Sequence, residues 1–324
     1  KINVNSFSIT PNKTKNILLT GATGFLGKYI LLEILKNYDC KIYCIIRSKS
    51  KQHGINRIKK ALNLLGEREE IYTDRIIPMC GDLEKENLGL DEQDYKFLCE
   101  NVDLIFHNGA MPNYIASYDS LKKSNVNGTK EIIKIASLYK IKTIHFISTL
   151  AIFESDERRK IDEFSNIEKE KHVKYPGYFA TKWVAENLIM QARKMGIPCN
   201  IYRLGLVLGD SLTGTYDSRQ WFYILVKCIY DLGYTFTNMP YLDHYVIPVD
   251  IAANNIICLA KSVTGPNKTF HLCSEKRIRV YRLTDKCKEL FRYENISLYD
   301  WIQNAMSSTI NGKDENITVI YYED

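Results

Sequence analysis

The sequence predicts an α/β fold: a doubly wound parallel sheet followed by a smaller C-terminal lobe. Three observations carry that expectation. Between residues 16 and 203, short continuous runs of Ile, Leu and Val alternate with segments whose apolar residues recur at helical spacing. That is the pattern of parallel strands buried on both faces by their own helices. A glycine-rich turn joins the first apolar run to the first helical segment. After Arg203 the alternation stops and aromatic residues crowd an irregular stretch. The length, 324 residues, suits two lobes at about 150 residues per domain.

Taken in order, residues 1–15 are polar and contain Pro11, and read as a linker or tail. Asn16–Thr20 is the first strand, and Phe25–Leu35 the first helix, with Leu26, Ile30 and Ile34 on one face. Lys41–Arg47 is the second strand. Ile55–Leu65 is helical, with Ile55, Ile58, Leu62 and Leu65 aligned. Ile76–Cys80 and Val102–His107 are the third and fourth strands, Ser120–Tyr139 a helix, and Thr143–Ser148 the fifth strand. Tyr178–Met195 is a long helix and Cys199–Arg203 the sixth strand. Six such units match a doubly wound nucleotide-binding sheet. Tyr216, Trp221, Phe222, Tyr223, Tyr230, Tyr234, Phe236, Tyr241 and Tyr245 then mark a second lobe, either as its core or as a pocket lining. Ile251–Leu259 is one more helix.

Composition excludes several classes. Hydrophobic residues are 45% and charged residues 25% of the chain, which fits a globular protein rather than a disordered or fibrous one. No apolar run approaches the ~18 residues of a membrane span. The 44 Lys and Arg against 38 Asp and Glu give +6, without an arginine stripe. This suits an anionic cofactor or acidic partner, and no nucleic acid is expected. Nine cysteines without a Cys-x-x-Cys pair write neither a zinc site nor a disulfide framework, so no metal and a reducing, cytoplasmic setting are expected.

The strongest chemical signal is Thr20-Gly21-Ala22-Thr23-Gly24-Phe25-Leu26-Gly27. Glycines in a strand–turn–helix context let the backbone approach a pyrophosphate, which sits on the helix N-terminus. The second strand ends Arg47-Ser48-Lys49 with no acid. An arginine there accommodates a 2′-phosphate, so NADP is expected over NAD, with Arg57 also within reach. Asp82, in Gly81-Asp82-Leu83 after the third strand, either accepts from the adenine amino group or caps a turn. Asn108, Gly109 and Ala110 follow the fourth strand as small residues where backbone passes the cofactor, and His107 before them reads as a structural histidine. Tyr178 and Lys182 stand four residues apart on one helix face. A neighbouring ammonium lowers a phenol's pKa, and a lysine can hold ribose hydroxyls. Ser148 and Thr149 place hydroxyls at the C-terminal end of the fifth strand, where open α/β sheets bind ligands. A hydroxyl, a tyrosine and a lysine around a nicotinamide make a site for carbonyl reduction.

The order of these segments is itself a resemblance. TGATGFLG, Arg47, GDL, HNGA, the segment Asn125-Val126-Asn127-Gly128-Thr129, FISTL and GYFATKWVAE resemble the extended short-chain dehydrogenase/reductase family, whose sheet is a Rossmann fold. The segment Tyr178–Glu186 is similar to that of thioester reductase domains, as are Tyr43–Arg47, Leu208–Ser211 with Thr213-Gly214, and Pro248–Asp250. Such domains terminate nonribosomal peptide synthetases, carboxylic acid reductases and aminoadipate reductases. The resemblance covers roughly residues 14–260; Gly109, Thr181 and Leu204 depart from the usual alanine, serine and proline.

The resemblance implies NADPH-dependent release of a carrier-bound peptidyl or acyl thioester as an aldehyde, with alcohol as a further product. Thr149, Tyr178 and Lys182 would be catalytic, with Thr149 rather than Ser148 as the hydroxyl. Leu83, Asn125, Ser148, Leu204 and Gly205 would join the cofactor contacts. The expected division is a linker over 1–13 and an NADP-binding domain over 14–206, with 248–262 packing back on it. A substrate and carrier-docking lobe covers 207–247 and 263–324. The partner is an upstream phosphopantetheinyl carrier, and a chain starting at Lys1 in a polar linker fits an excised terminal domain, monomeric by itself. Gly209-Asp210-Ser211-Leu212 looks like a carrier's attachment serine but follows a strand of the sheet. Two other readings stand beside this one. A nucleotide-sugar epimerase or dehydratase would retain NAD, which Arg47 disfavours. A non-enzymatic NADP-sensing regulator would lack the Tyr178–Lys182 pair.

Overall fold

The computed structural model describes residues 14–65, 73–153, 161–169, 177–236, 243–262 and 266–310. The expected linker over 1–13 lies outside them, as does Tyr241. The chain divides into two compact units: one up to Val207 with Ile247–Leu272, the other Leu208–Val246 with the residues after Leu272.

The first unit begins with β1 (Asn16–Thr20), α1 (Phe25–Asn37), β2 (Lys41–Ile46), α2 (Lys51–Asn63) and β3 (Ile76–Cys80). It continues with α3 (Glu92–Asn101), β4 (Leu104–His107), α4 (Tyr118–Lys122) and α5 (Gly128–Ser137). Next come β5 (Thr143–Thr149), α6 (Gly177–Lys194) and β6 (Cys199–Leu204). The short β7 (Leu206–Leu208) follows. The expected helix over 120–139 is α4 and α5 joined by a widened π turn, Lys123–Asn127. It ends at Ser137, where the buried Lys142 ammonium donates to the carbonyls of Ile135, Leu138 and Lys140 at 2.8, 2.9 and 2.9 Å.

The sheet has seven parallel strands in the order β11-β6-β5-β4-β1-β2-β3, with β11 at Thr269–Leu272. Residues 263–324 were all expected in the second lobe. Thr269–Leu272 instead extends the sheet, because its backbone completes the otherwise bare edge of β6. Alternate residues of β1 face opposite sides. Ile17 and Leu19 pack with α1 and with Ala253, Ile256 and Ile257 of α8 (Val249–Ser262), while Leu18 packs with Ile132 and Ile135 of α5 and Ile189 of α6. Burial on both faces is why the strands read as continuous apolar runs. Strand order reverses beside β1, so the C-terminal ends of β1, β4 and β5 open onto one crevice.

The second unit holds α7 (Trp221–Leu232), β8 (Tyr234–Phe236) and β9 (Asp243–His244), and after β10 (Val246–Pro248) and α8 the chain returns to it. There it adds β12 (Ile278–Arg279), α9 (Val280–Phe291), β13 (Glu294–Ile296) and α10 (Leu298–Ile310). Its own core gathers Cys228, Ile229, Phe236, Cys287, Trp301 and Ala305. The aromatics of this stretch divide: Phe236 packs on Trp301 in the core, whereas Tyr216 and Tyr230 are exposed. No helix among the described residues is long and apolar enough to cross a membrane.

Candidate active site

The site begins at the turn between β1 and α1. Gly21 has φ +73°, and a Cβ on it would lie 2.8 Å from Gly109 Cα and 2.9 Å from Asn108 Nδ2. A Cβ on Gly27 would collide with the Gly21 carbonyl oxygen at 1.8 Å. Both glycines are therefore required by packing. Gly24 is different: a Cβ there would meet only the Gly21 oxygen, at 3.3 Å. Gly24 is also the N-cap of α1, with no side-chain cap and no acid in the first turn. The first amides of α1 thus have no side-chain cap, and the space at Gly24 is open but for the Gly21 oxygen, a helix start suited to an anion. Thr23, Gly24, Phe25 and Leu26 are half-buried around it. These residues fit the pyrophosphate of a dinucleotide.

At the adenosine end, Arg47 is exposed just past β2, and the Arg57 guanidinium donates to its carbonyl oxygen. The start of α2 that carries Arg57 is fixed by Ser50, whose hydroxyl accepts from the His53 amide at 3.1 Å. The Arg57 guanidinium, on α2, is thereby fixed against the backbone of Arg47, so the two arginines are neighbours, a basic pair suited to a 2′-phosphate. Asp82 is half-buried, and its Oδ1 accepts from the Glu84 amide at 3.1 Å. The turn role is present, and the carboxylate keeps acceptor capacity. Leu83 packs on the next segment: a Cβ on Gly109 would come within 2.7 Å of its Cδ1. The Gly109 amide donates to Thr20 Oγ1 at 2.8 Å, Asn108 Nδ2 to the Gly21 carbonyl at 3.4 Å, and Ala110 follows half-buried.

Thr149 ends β5, and Tyr178 and Lys182 occupy the first turns of α6. The Lys182 ammonium donates to the Ile147 carbonyl at 2.6 Å and lies 4.3 Å from the Phe146 ring centre. That bond ties the helix face bearing Tyr178 and Lys182 to the strand end bearing Thr149. Burial brings the Lys182 pKa down to about 8, opposed by the Glu186 carboxylate. Tyr178 packs edge-on against Tyr114, with ring centres 5.3 Å apart. Burial, and then Tyr114, push its pKa up. The expected lowering of the Tyr178 pKa by Lys182 is therefore not found. Desolvation dominates the phenol, and one of the three ammonium donors goes to Ile147.

Ser148 and Thr149 separate as neighbours on a strand must. The buried Ser148 hydroxyl donates to Glu186 Oε2, and Glu186 Oε1 accepts from Arg203 Nε at 2.9 Å and Nη2 at 2.8 Å. Ser148 is thus turned into a buried ion pair rather than toward a cofactor. Thr149 Oγ1 accepts from the Ala151 amide at 3.2 Å, which leaves its O–H to donate. Leu204 is buried in the core, and the Gly205 amide donates to the Leu272 carbonyl at 3.0 Å. The Asn125 side chain is likewise committed: Nδ2 donates to the Met111 carbonyl and to Thr181 Oγ1, and Oδ1 accepts from the Met111 amide. Ser148, Leu204 and Asn125 therefore support the site from behind.

Sequence reasoning gave no role to Tyr114, Thr129 or Glu186. A signal for Glu186 existed. Arg203 interrupts the apolar run of β6, and a fully buried guanidinium demands a carboxylate partner.

The family model described as "Male sterility protein", an NAD-binding family, matches residues 19–256. The chain is 36% identical over 297 residues to a component of the linear gramicidin synthase of Brevibacillus parabrevis, covering 90% of this chain and 6% of that protein. The chain thus spans only a small part of that relative's length. Its structure is similar to the terminal R domain from the myxalamid PKS-NRPS biosynthetic pathway, with 32% identity, TM-score 0.85, and coverage of 95% of this chain and 78% of that one. It is also similar to the reductase (R) domain of a nonribosomal peptide synthetase from Mycobacterium tuberculosis, with 26% identity, TM-score 0.83, and coverage of 97% and 80%.

Proposed function

This chain belongs to the terminal reductase (R) domain family of the extended short-chain dehydrogenases/reductases, and from that premise we propose that it reduces a carrier-bound peptidyl or acyl thioester with NADPH and releases an aldehyde. The observation that carries the reading is the Lys182–Ile147 bond. It fixes the helix that carries Tyr178 and Lys182 against the strand that ends at Thr149, which supports reading the three as one site.

The bound cofactor supplies a hydride to the thioester carbonyl carbon. The Thr149 and Tyr178 hydroxyls donate to the carbonyl oxygen, where negative charge develops. Tyr178 then gives up its proton, leaving a hemithioacetal. The phenol enters the reaction protonated, and because burial pushes its pKa up, giving the proton away calls for a nearby charge that stabilises the phenolate. Lys182, held by Ile147, keeps two further N–H donors for ribose hydroxyls and stabilises the phenolate once it forms. The carbon–sulfur bond breaks, the hydroxyl proton ends on the departing thiol, and solvent reprotonates Tyr178. One NADPH and one proton are consumed for each aldehyde and thiol. Arg47 and Arg57 would hold the 2′-phosphate, Asp82 would accept from the adenine, and the Gly24 cradle would take the pyrophosphate.

The thiol partner is a phosphopantetheinyl carrier domain, and the unit containing Trp221–Leu232 serves as the substrate lobe. Mixing the protein with NADPH and a pantetheine or coenzyme A thioester tests the reading. Loss of nicotinamide absorbance matched by aldehyde is expected. Folded protein that binds NADPH and leaves the absorbance unchanged would overturn it.

A further inference from the structure

A chain of hydrogen bonds runs behind the site, and its direction can be worked out bond by bond. At its far end the Thr181 hydroxyl donates to the Tyr178 carbonyl at 2.8 Å. Its single proton is then used, so Thr181 Oγ1 can only accept from Asn125 Nδ2, at 3.0 Å. The Thr129 hydroxyl donates to the Asn125 backbone carbonyl at 2.7 Å. It too has no second proton, so the contact of 3.1 Å between Thr129 Oγ1 and His107 Nε2 requires the imidazole to donate. His107 is buried and its pKa is brought down to about 3, chiefly by burial and then by Lys182. A neutral ring that donates from Nε2 accepts at Nδ1. The acceptance there is from the Thr20 hydroxyl, at 2.8 Å, and Thr20 Oγ1 in turn accepts from the Gly109 amide at 2.8 Å.

The donors point one way from Gly109 through Thr20, His107 and Thr129 to the backbone carbonyl of Asn125, and a second run starts at the Asn125 side-chain amide and passes through Thr181 to the carbonyl of Tyr178, so Asn125 joins the two runs through its own covalent frame. Within each run dipoles aligned head to tail reinforce one another, and reversing one bond would leave a buried neighbour unsatisfied. One end lies in the glycine cradle, where Gly21 and Gly109 touch. The other end is the first turn of α6, which carries Tyr178.

We propose that His107 is a positioning residue in a hydrogen-bond chain, joined through the covalent frame of Asn125, that couples the nucleotide cradle to the placement of Tyr178. The proposal rests on the functional reading only in taking NADPH as the ligand of the cradle. Ordering the cradle on binding favours one seating of the tyrosine turn, and by linkage a disturbance of the tyrosine turn weakens nucleotide binding.

The test reads NADPH affinity by fluorescence titration, independent of turnover. Thr181 is buried and is joined to Thr20 and Gly109 through this chain. Thr181→Val, which keeps shape and removes the donor, is expected to raise the NADPH Kd by about fivefold or more. Thr181→Ser, which keeps the hydroxyl, should retain wild-type affinity. In a His107→Leu background the Thr181→Val effect should vanish, since the chain is already cut. An unchanged Kd for folded Thr181→Val, or an equal effect in both backgrounds, would overturn the proposal. If the wild type binds NADPH but never reduces a thioester, the functional reading fails and the coupling is still decided by Kd.

Discussion

Replacing Glu186 with alanine exposes how much of the site rests on one buried ion pair. The Glu186 and Arg203 side chains are 0% and 2% exposed. Glu186 takes two bonds from the guanidinium and one from Ser148. Without it, the Arg203 charge keeps His271 Nε2 at 3.2 Å and the face of Phe153 at 4.7 Å, and neither is an anion. Breaking a buried pair by removing one partner costs about 3–5 kcal/mol. An unsatisfied Ser148 hydroxyl adds about 1–3 kcal/mol. The expected loss, about 4–8 kcal/mol, is comparable to the whole stability of many domains, about 5–15 kcal/mol. Urea unfolding followed by far-ultraviolet circular dichroism measures it, with a lower midpoint expected at an unchanged slope. Replacing both partners together, Glu186→Leu with Arg203→Met, removes the stranded charge and should be more stable than Glu186→Ala. A Glu186→Ala protein within about 1 kcal/mol of wild type, or a double variant worse than the single, would refute the reasoning.

Four other outcomes follow from the geometry. Gly24→Ala should fold normally and bind NADPH weakly, while Gly27→Ala, whose Cβ would meet a carbonyl oxygen at 1.8 Å, should lose thermal stability; equal melting temperatures would contradict this. Arg47→Ala should raise the NADPH Kd about 10- to 100-fold, the worth of a charge-assisted bond, and leave NADH affinity in place. Tyr178→Phe should lower kcat about 10²- to 10⁴-fold with the NADPH Kd unchanged, as measured by steady-state rates and titration. His145, stacked on Phe106 and bonded to the Tyr202 hydroxyl, has its pKa brought from 6.5 to about 3 by burial. The unfolded chain therefore binds a proton below about pH 6.5 that the folded chain refuses, so stability falls as pH falls through that window. Each such histidine contributes about 1.4 kcal/mol per pH unit, and His145→Gln should flatten the acid dependence of the urea midpoint by that amount.

What could be read from the sequence was what is local. The cradle was legible because its turn and its glycines are contiguous. The strands were legible because burial on two faces leaves no polar alternation to misread. Helix α3 was missed because only Tyr95, Leu98 and Cys99 mark its inner face within ten residues. Strand β11 was missed because four residues at an edge, one of them His271, carry no periodicity. At the site, identities were readable and orientations were not. That Ser148 turns inward while Thr149 does not depends on Glu186 and Arg203, which lie 38 and 55 residues further along the chain. Lys182 was read as acting on Tyr178, and its anchoring on Ile147 belongs to the packing of α6 on β5, which spacing alone does not contain.

The most direct test follows the hydride itself. NADPH carrying two deuterons at C4 of the nicotinamide is mixed with this protein and a carrier-bound or pantetheine thioester, and the released product is examined by mass spectrometry. The account predicts an aldehyde with one deuteron on its carbonyl carbon, formed in step with free thiol and lost in Tyr178→Phe. Thiol release without deuterium in the product would contradict it.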